Sequence, residues 1–243
     1  MKRRRKNLRC TALALMAWGA AVPASWAGDA ARPLSYKEQV VLNSQTFLDA
    51  HPDMKYRKAG WEAYKKQDFA GARSEFTKAA YYGDKVSQAM LGEMSWKGQG
   101  GSVDRVLAYV WADLAAERGY PQFLAVRERY WREMEGSERA RVPSRGSALL
   151  LEYGDDAATD RLSRHLRQHV QRIKFSSMTA GPPRQVSVVD YHGGMVRIDG
   201  RKFYSPMFWD PVEYQAWQDA QWKNPPQGEV DVGDVEPVRQ VEQ

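Results

Sequence analysis

Between Gln88 and Gly119 the chain carries Leu91-Gly92, Gly98-Gln99-Gly100, Asp104, Ala108, Trp111, Ala115-Ala116 and Gly119 in a helix-loop-helix pattern. A shift of 36 residues places Asp68 on Asp104, Ala72 on Ala108, Ala79-Ala80 on Ala115-Ala116, Gly83 on Gly119 and Ala89 on Ala125. A period in this range means stacked helical hairpins, each unable to bury its apolar face without a neighbour. Alanines mark where two helices approach closely, glycines mark where the chain leaves a helix with positive φ, and Trp111 with Leu114 fills the space between the helices.

The unit from Leu91 to Gly119 resembles the Sel-one-like repeat family, a branch of the tetratricopeptide-type solenoids. It departs from the family at Ser95, where Tyr is usual, and at Gly101, where Val is usual, so looser packing is expected under the inter-helix loop. The upstream unit is similar to a tetratricopeptide repeat, with Gly60, Ala63, Phe69, Ala72, Phe76 and Ala79 at that family's small and aromatic positions and a tight turn at Lys66-Gln67-Asp68. The resemblance implies a helical solenoid that binds a protein or peptide in its groove. It also implies that Trp61, Tyr64 and Trp96, on first helices, line that groove. Tyr81 and Tyr82, just past a helix end, are further candidates for partner binding.

Lys2-Arg3-Arg4-Arg5-Lys6, an apolar run from Thr11 to Ala24 and Ser25-Trp26-Ala27 ahead of Gly28 read as a secretory signal peptide over residues 1–27, cleaved between Ala27 and Gly28. The protein is therefore expected in the periplasm, with no stable membrane span after cleavage. The whole chain has 36 basic and 30 acidic residues, and six of the basic ones lie in residues 1–27 with no acid. The remainder is neutral, which removes the charge argument for nucleic-acid binding. The single cysteine, Cys10, also lies in that segment, so the mature chain has no thiol for a disulfide, a zinc-thiolate site or a nucleophile.

The expected architecture is mainly α. A helical domain over residues 35–175 begins with a capping box at Ser35 and Glu38, opening one helix through Val40, Val41 and Phe47 to Leu48, which His51-Pro52-Asp53 closes. Ser137 starts a helix toward Tyr153, with a break near Pro143-Ser144-Arg145-Gly146. A later helix ending near Lys174 carries Leu162, Leu166, Val170 and Ile173 on one stripe. Residues 176–184 read as a linker. Residues 185–235 read as a small antiparallel meander, with strands at Gln185–Tyr191, Met195–Asp199 and Arg201–Ser205, a helix capped at Asp210 and a returning strand at Val230 and Val232. Residues 236–243 form a loose tail.

His165 and His169 have metal-ligand spacing, but no third ligand accompanies them and the surrounding arginines would repel a cation; they read as structural. His192-Gly193-Gly194 reads as a hairpin turn, and Gly98-Gln99-Gly100-Gly101 is explained by the repeat rather than by phosphate binding. No nucleophile elbow, phosphate loop or dinucleotide fingerprint is present, so neither an enzyme nor a cofactor is expected. The function this supports is a secreted, periplasmic interaction scaffold for a protein or peptide. The alternative is a cell-wall or carbohydrate-binding module with Phe203, Tyr204, Phe208, Trp209 and Tyr214 as a stacking platform, against which a small domain needs those rings for its own core, so that most of them are expected to be buried.

Overall fold

The computed structural model describes residues 33–176, 183–190 and 193–223. The expected capping box forms: the Ser35 N–H donates to Glu38 Oε2 at 2.8 Å while the Glu38 N–H donates to Ser35 Oγ at 3.4 Å. It opens α1 (Tyr36–Asn43), which does not run on to Leu48. Ser44 is extended, with φ −70° and ψ 146°, and its hydroxyl accepts from the Phe47 N–H, starting a second short helix, α2 (Gln45–Ala50). An internal serine that caps competes with helix continuation, which is why one helix becomes two. Pro52 does not end a helix. It occupies the first turn of α3 (Pro52–Lys65), where its missing N–H costs nothing.

Two antiparallel hairpins follow, as the repeat requires. In the first, α3 joins α4 (Phe69–Tyr81) through a tight turn in which Gln67 has φ 62° and Asp68 caps α4 by accepting from the Gly71 N–H at 2.9 Å. In the second, α5 (Lys85–Lys97) joins α6 (Arg105–Ala116) through a longer loop, and Asp104 caps α6 by accepting from the Leu107 N–H at 2.9 Å. That loop folds back over the start of α4. Gly100 has φ 72°, and a Cβ there would lie 2.7 Å from the Phe69 carbonyl oxygen. The expected loosening at Ser95 does not occur: its buried hydroxyl donates to Leu91 O at 2.7 Å and accepts from Arg73 Nη2 at 3.2 Å, while Arg73 Nη1 donates to Gln99 O at 3.2 Å. An arginine from the preceding repeat thus ties the loop down.

Close helix approach rests on glycine in both hairpins. A Cβ on Gly60 would lie 2.5 Å from a Phe76 ring carbon, and one on Gly92 would lie 3.1 Å from the Ala108 carbonyl oxygen. Trp111, Leu91, Met94, Phe76, Ala72 and Leu114 fill the space so created.

Beyond the hairpins come α7 (Pro121–Glu133), the short α8 (Gly136–Arg139), α9 (Val142–Tyr153) and α10 (Asp155–Ser176). The break expected at residues 143–146 lies at Ala140 and Arg141, and Pro143 sits in the first turn of α9. α9 crosses the second helices α4 and α6, with Gly146 over Val110 and the Tyr153 ring 4.9 Å from that of Trp111. Lys85, on α5, is buried here. Its ammonium donates to Leu114 O at 2.6 Å and Gln88 Oε1 at 3.1 Å, and pairs with Glu117 at 2.7 Å and Asp155 at 3.0 Å. Burial pushes the Asp155 carboxyl up, but Arg118 and Lys85 outweigh it and hold the group below its ordinary value of 3.8.

The C-terminal segment departs most from expectation. β1 (Gln185–Val189) and β2 (Met195–Asp199) form an antiparallel hairpin in the register Gln185 to Asp199 and Val189 to Met195. The strand expected at Arg201–Ser205 is instead α11 (Gly200–Phe203), because the Asp199 side chain accepts from the Arg201 N–H at 2.9 Å and turns the chain into a helix. α12 (Pro206–Trp209) and α13 (Pro211–Lys223) complete the described chain.

One apolar core joins Val40, Val41 and Phe47 of the first two helices to Leu162 and Leu166 of α10, and to Val188, Ile198, Phe203, Phe208, Trp209 and Tyr214. Of the five rings of the alternative sugar-stacking platform four are thus buried and Tyr204 is half-buried, so they are core, as the needs of a small domain lead one to expect. The signal segment with Ala27 and Gly28, the 177–182 part of the linker, His192, the strand at Val230 and Val232, and the tail lie outside the described residues, as does the side chain of Ile173. Among the described residues no helix is long and apolar enough to cross a membrane.

Two stability predictions follow from this packing. Gly60→Ala, despite its better helix propensity, forces Phe76 aside and is expected to cost about 2 kcal/mol in urea unfolding. Gly136→Ala, whose added carbon meets nothing within 4 Å, is expected to cost nothing. Lys85→Met strands two carboxylates beside a buried apolar chain, at an expected cost of about 3–5 kcal/mol. Because the folded Asp155 pKa is depressed, its contribution is present above the ordinary carboxylate range and is lost as pH falls through the folded value. Lys85→Met removes part of that depression, so the gap between variant and wild type should narrow as pH falls through this range.

Candidate interaction surface

The first helices α3, α5 and α7 lie side by side and present a row of side chains from their C-terminal halves. From α3 come Trp61 and Tyr64, both half-buried, their rings 5.8 Å apart and edge-on. They also pack into their own hairpin, Trp61 on Phe76 at 5.7 Å and Tyr64 on Phe69 at 5.4 Å, and the Tyr64 hydroxyl donates to Gln99 Oε1 at 3.2 Å. From α5 come Glu93, Trp96 and Lys97, and from α7 come Arg129 and Tyr130. The Trp96 ring lies flat on Tyr130, with centroids 4.2 Å apart and planes within 2°, and the Arg105 guanidinium sits 5.0 Å from the Trp96 centroid.

Glu93 is the centre of the row. It accepts from the buried Tyr130 hydroxyl at 2.5 Å, pairs with Lys97 at 2.7 Å and has Arg129 at 3.7 Å. Burial pushes its carboxyl up, but the hydrogen bonds from Lys97 and Tyr130 outweigh that and hold it below the ordinary range. The Tyr130 phenol, buried beside a carboxylate, is pushed well above its ordinary value. The arrangement is an anion clamped between two exposed cations on an aromatic floor, suited to binding rather than to proton transfer.

The N-terminal halves of the same three helices are covered by α13. Asp53, at the start of α3, is buried and accepts from the Tyr214 hydroxyl at 2.7 Å and from Gln218 Nε2 at 2.9 Å. The Tyr120 hydroxyl, before α7, donates to Asp219 Oδ1 at 2.6 Å, and Trp222 packs on Phe123 in a cluster that Val86 and Ala89 of α5 also join. The surface that lies open is therefore half of what the repeat alone implies.

The five aromatic residues selected from the sequence fall in two places. Trp61, Tyr64 and Trp96 share the row just described. Tyr81 and Tyr82 lie where α4 meets α10, with Arg161 3.4 Å over the Tyr81 ring and His165 5.8 Å from the Tyr82 ring. The charged members Glu93, Lys97 and Arg129 were missed. Glu93 and Lys97 carry a local signal, an acid four residues before a base, whereas Arg129 meets them only through the fold. His165 lies 3.3 Å from Asp49 O and His169 stacks beside Trp209, so the two histidines serve different neighbours. No group of three metal-ligating side chains occurs among the described residues.

Tyr130→Phe removes the donor to Glu93 and is expected to cost about 1–2 kcal/mol at neutral pH. It should also raise the Glu93 pKa, read by NMR titration. Since the depressed Glu93 stabilises above its unfolded pKa and stops doing so as pH falls through the folded value, the gap between the two proteins should narrow in acid.

No family model matches the sequence, and no curated protein matches it. A search of solved structures finds a protective antigen of uropathogenic Escherichia coli strains, whose crystal structure displays an SLR fold, at 18% identity and a TM-score of 0.40. The match covers 54% of this chain and 27% of the length of that antigen. The repeat fold of this chain stands on its own two hairpins.

Proposed function

We propose that this protein is a secreted, periplasmic scaffold that holds a protein or peptide along the open row of α3, α5 and α7 and acts by binding rather than by covalent chemistry. The observation that carries the reading is the row itself: half-exposed aromatic rings with the clamped Glu93 at their centre and Lys97 and Arg129 at the rim, each about half exposed. A second support is α13, which already lays a helix across the other half of the same three helices, with Trp222 as an apolar anchor and Asp219 as its polar contact. A segment presenting an aromatic side chain beside an acid would meet the open half in the same way. Export rests on the basic start, apolar run and Ser25-Trp26-Ala27 of the sequence.

Intact-mass measurement of the protein recovered from the periplasm is expected to place its first residue at Gly28. A photo-crosslinking residue at Lys97 should label one partner in envelope extract, and the same residue at Leu151, on the exposed side of α9, should not. Lys97→Glu/Arg129→Glu is expected to stay folded, with an unfolding midpoint lowered by the acids set beside Glu93, and to weaken capture of that partner about tenfold. Equal labelling from both positions, or undiminished capture by the charge-reversed variant, would count against the groove.

A further inference from the structure

The β1–β2 hairpin has two unlike faces. In the paired register, Val186, Val188, Val196 and Ile198 turn toward the core, with Val188 and Ile198 buried. The opposite face carries Gln185, Ser187 and Val189 from β1 and Met195, Arg197 and Asp199 from β2, since alternate residues share a face. Val189 and Met195 are direct partners at the tip, 58% and 68% exposed, so an apolar pair projects into solvent where a polar one would be expected. At the base of the hairpin a cleft of about 920 Å³ is lined by both strands together with Lys37 of α1 and Arg201 of α11. Among the described residues, four cations line it, Lys37, Arg184, Arg197 and Arg201, against one acid, Asp199.

That acid is already committed, accepting from the Arg201 N–H and lying 3.5 Å from the Arg201 guanidinium. Lys37, Arg184 and Arg197 have no ion-pair partner among the described residues. Asp190, beside the apolar pair, is tied back by the Tyr36 hydroxyl at 2.6 Å and the Gly194 N–H at 2.7 Å, and Glu38, next to Lys37, accepts from the Ser35 N–H at 2.8 Å. The chain outside residues 1–27 is neutral, so this concentration of positive charge is local, and Arg197, two residues from Met195 on the same strand face, links it to the exposed apolar pair.

We propose that the outer face of the hairpin docks on an anionic lipid bilayer. Lipid phosphates would occupy the cleft, held by Arg184, Arg197, Lys37 and Arg201, while Val189 and Met195 enter the boundary between headgroups and acyl chains. Charge complementarity selects this occupant: the guanidinium groups match phosphate oxygens, and an apolar pair next to them gains nothing from a soluble anion but gains burial from a bilayer. The surface is separate from the row on α3, α5 and α7, so a membrane-docked protein leaves that row free.

The test is co-sedimentation with vesicles of phosphatidylcholine alone and with vesicles containing phosphatidylglycerol. Wild-type protein should partition at least tenfold more strongly onto the anionic vesicles, and lose that preference when salt is raised from about 0.1 M to about 0.5 M. Arg184→Ala/Arg197→Ala should weaken partitioning about twenty-five-fold, roughly five-fold for each cation lost near the surface. Val189→Asp/Met195→Asp should also weaken it. Both pairs change exposed side chains, so circular dichroism and the unfolding midpoint should match the wild type. The Lys97→Glu/Arg129→Glu variant should partition as the wild type does. Equal uptake by the two kinds of vesicle, or unchanged partitioning in either the arginine or the apolar double variant, overturns the proposal.

Discussion

The ammonium group of Lys85 is buried where three helices meet, and the placement of everything after α9 depends on it. Taking such a charge out of water costs several kcal/mol unless its protons are all received. Here they are: a carbonyl from the end of α6, the Gln88 amide, and the carboxylates of Glu117 and Asp155 surround it. Asp155 is the first residue of α10, and Glu117 also accepts from the Asp155 N–H at 3.1 Å, so the ion pair fixes where α10 starts. Arg118 adds a second cation on the same carboxylate. From that anchored start α10 carries Leu162 and Leu166 to the core that the first two helices share with the C-terminal segment.

A second buried polar junction closes the chain on itself. His51 stacks on Phe47 with ring centroids 3.7 Å apart and lies against Tyr214, and its Nδ1–H donates to Phe47 O at 2.8 Å. Burial pushes this imidazole down, so it stays neutral among the rings. Two residues on, Asp53 holds α13, and one turn further Arg57 donates through Nε to both oxygens of Asp84, the residue that caps α5. The start of α3 is thereby bound to α13 and to the second hairpin at once, while His51 Nε2 and Asp53 Oδ1 stay buried without a hydrogen-bond partner among the described residues.

What the sequence discloses is local chemistry. The alanines at close contacts, the box at Ser35 and Glu38 and the hairpin alternation all act within a few residues, and each forms as expected; Asp68 and Asp104, read only as repeat positions, turn out to be the caps of α4 and α6. The failures share another cause. Ser44 and Asp199 redirect the chain through side-chain bonds that a hydrophobic pattern does not register. The burial of most of Phe203, Phe208, Trp209 and Tyr214 is expected, but the partners that bury them lie at the other end of the chain and are not expected. The Tyr214 contact with Asp53 spans 161 positions, and no periodicity carries that information. The candidate row divides the same way, with its rings named by the repeat and its charges assembled by the fold.

The cover that α13 provides on the first helices is a fixed wall. Lifting it would leave the buried Asp53 without its two donors, strip Tyr120 of its acceptor, and return Tyr214, Trp217 and Trp222 to water. Those losses together are on the order of 10 kcal/mol, at about 1–3 kcal/mol for each broken buried hydrogen bond and about 1.5–3 kcal/mol for each large apolar side chain exposed. A partner bound with micromolar affinity supplies only about 8 kcal/mol, so it cannot displace α13 and still bind. Any ligand of α3, α5 and α7 must therefore use the half that Trp61, Tyr64, Glu93, Lys97 and Arg129 leave open. The end of that ligand nearest α13 meets a wall of Trp222 and Phe123 rather than a continuing groove, which limits how long a segment the surface can hold.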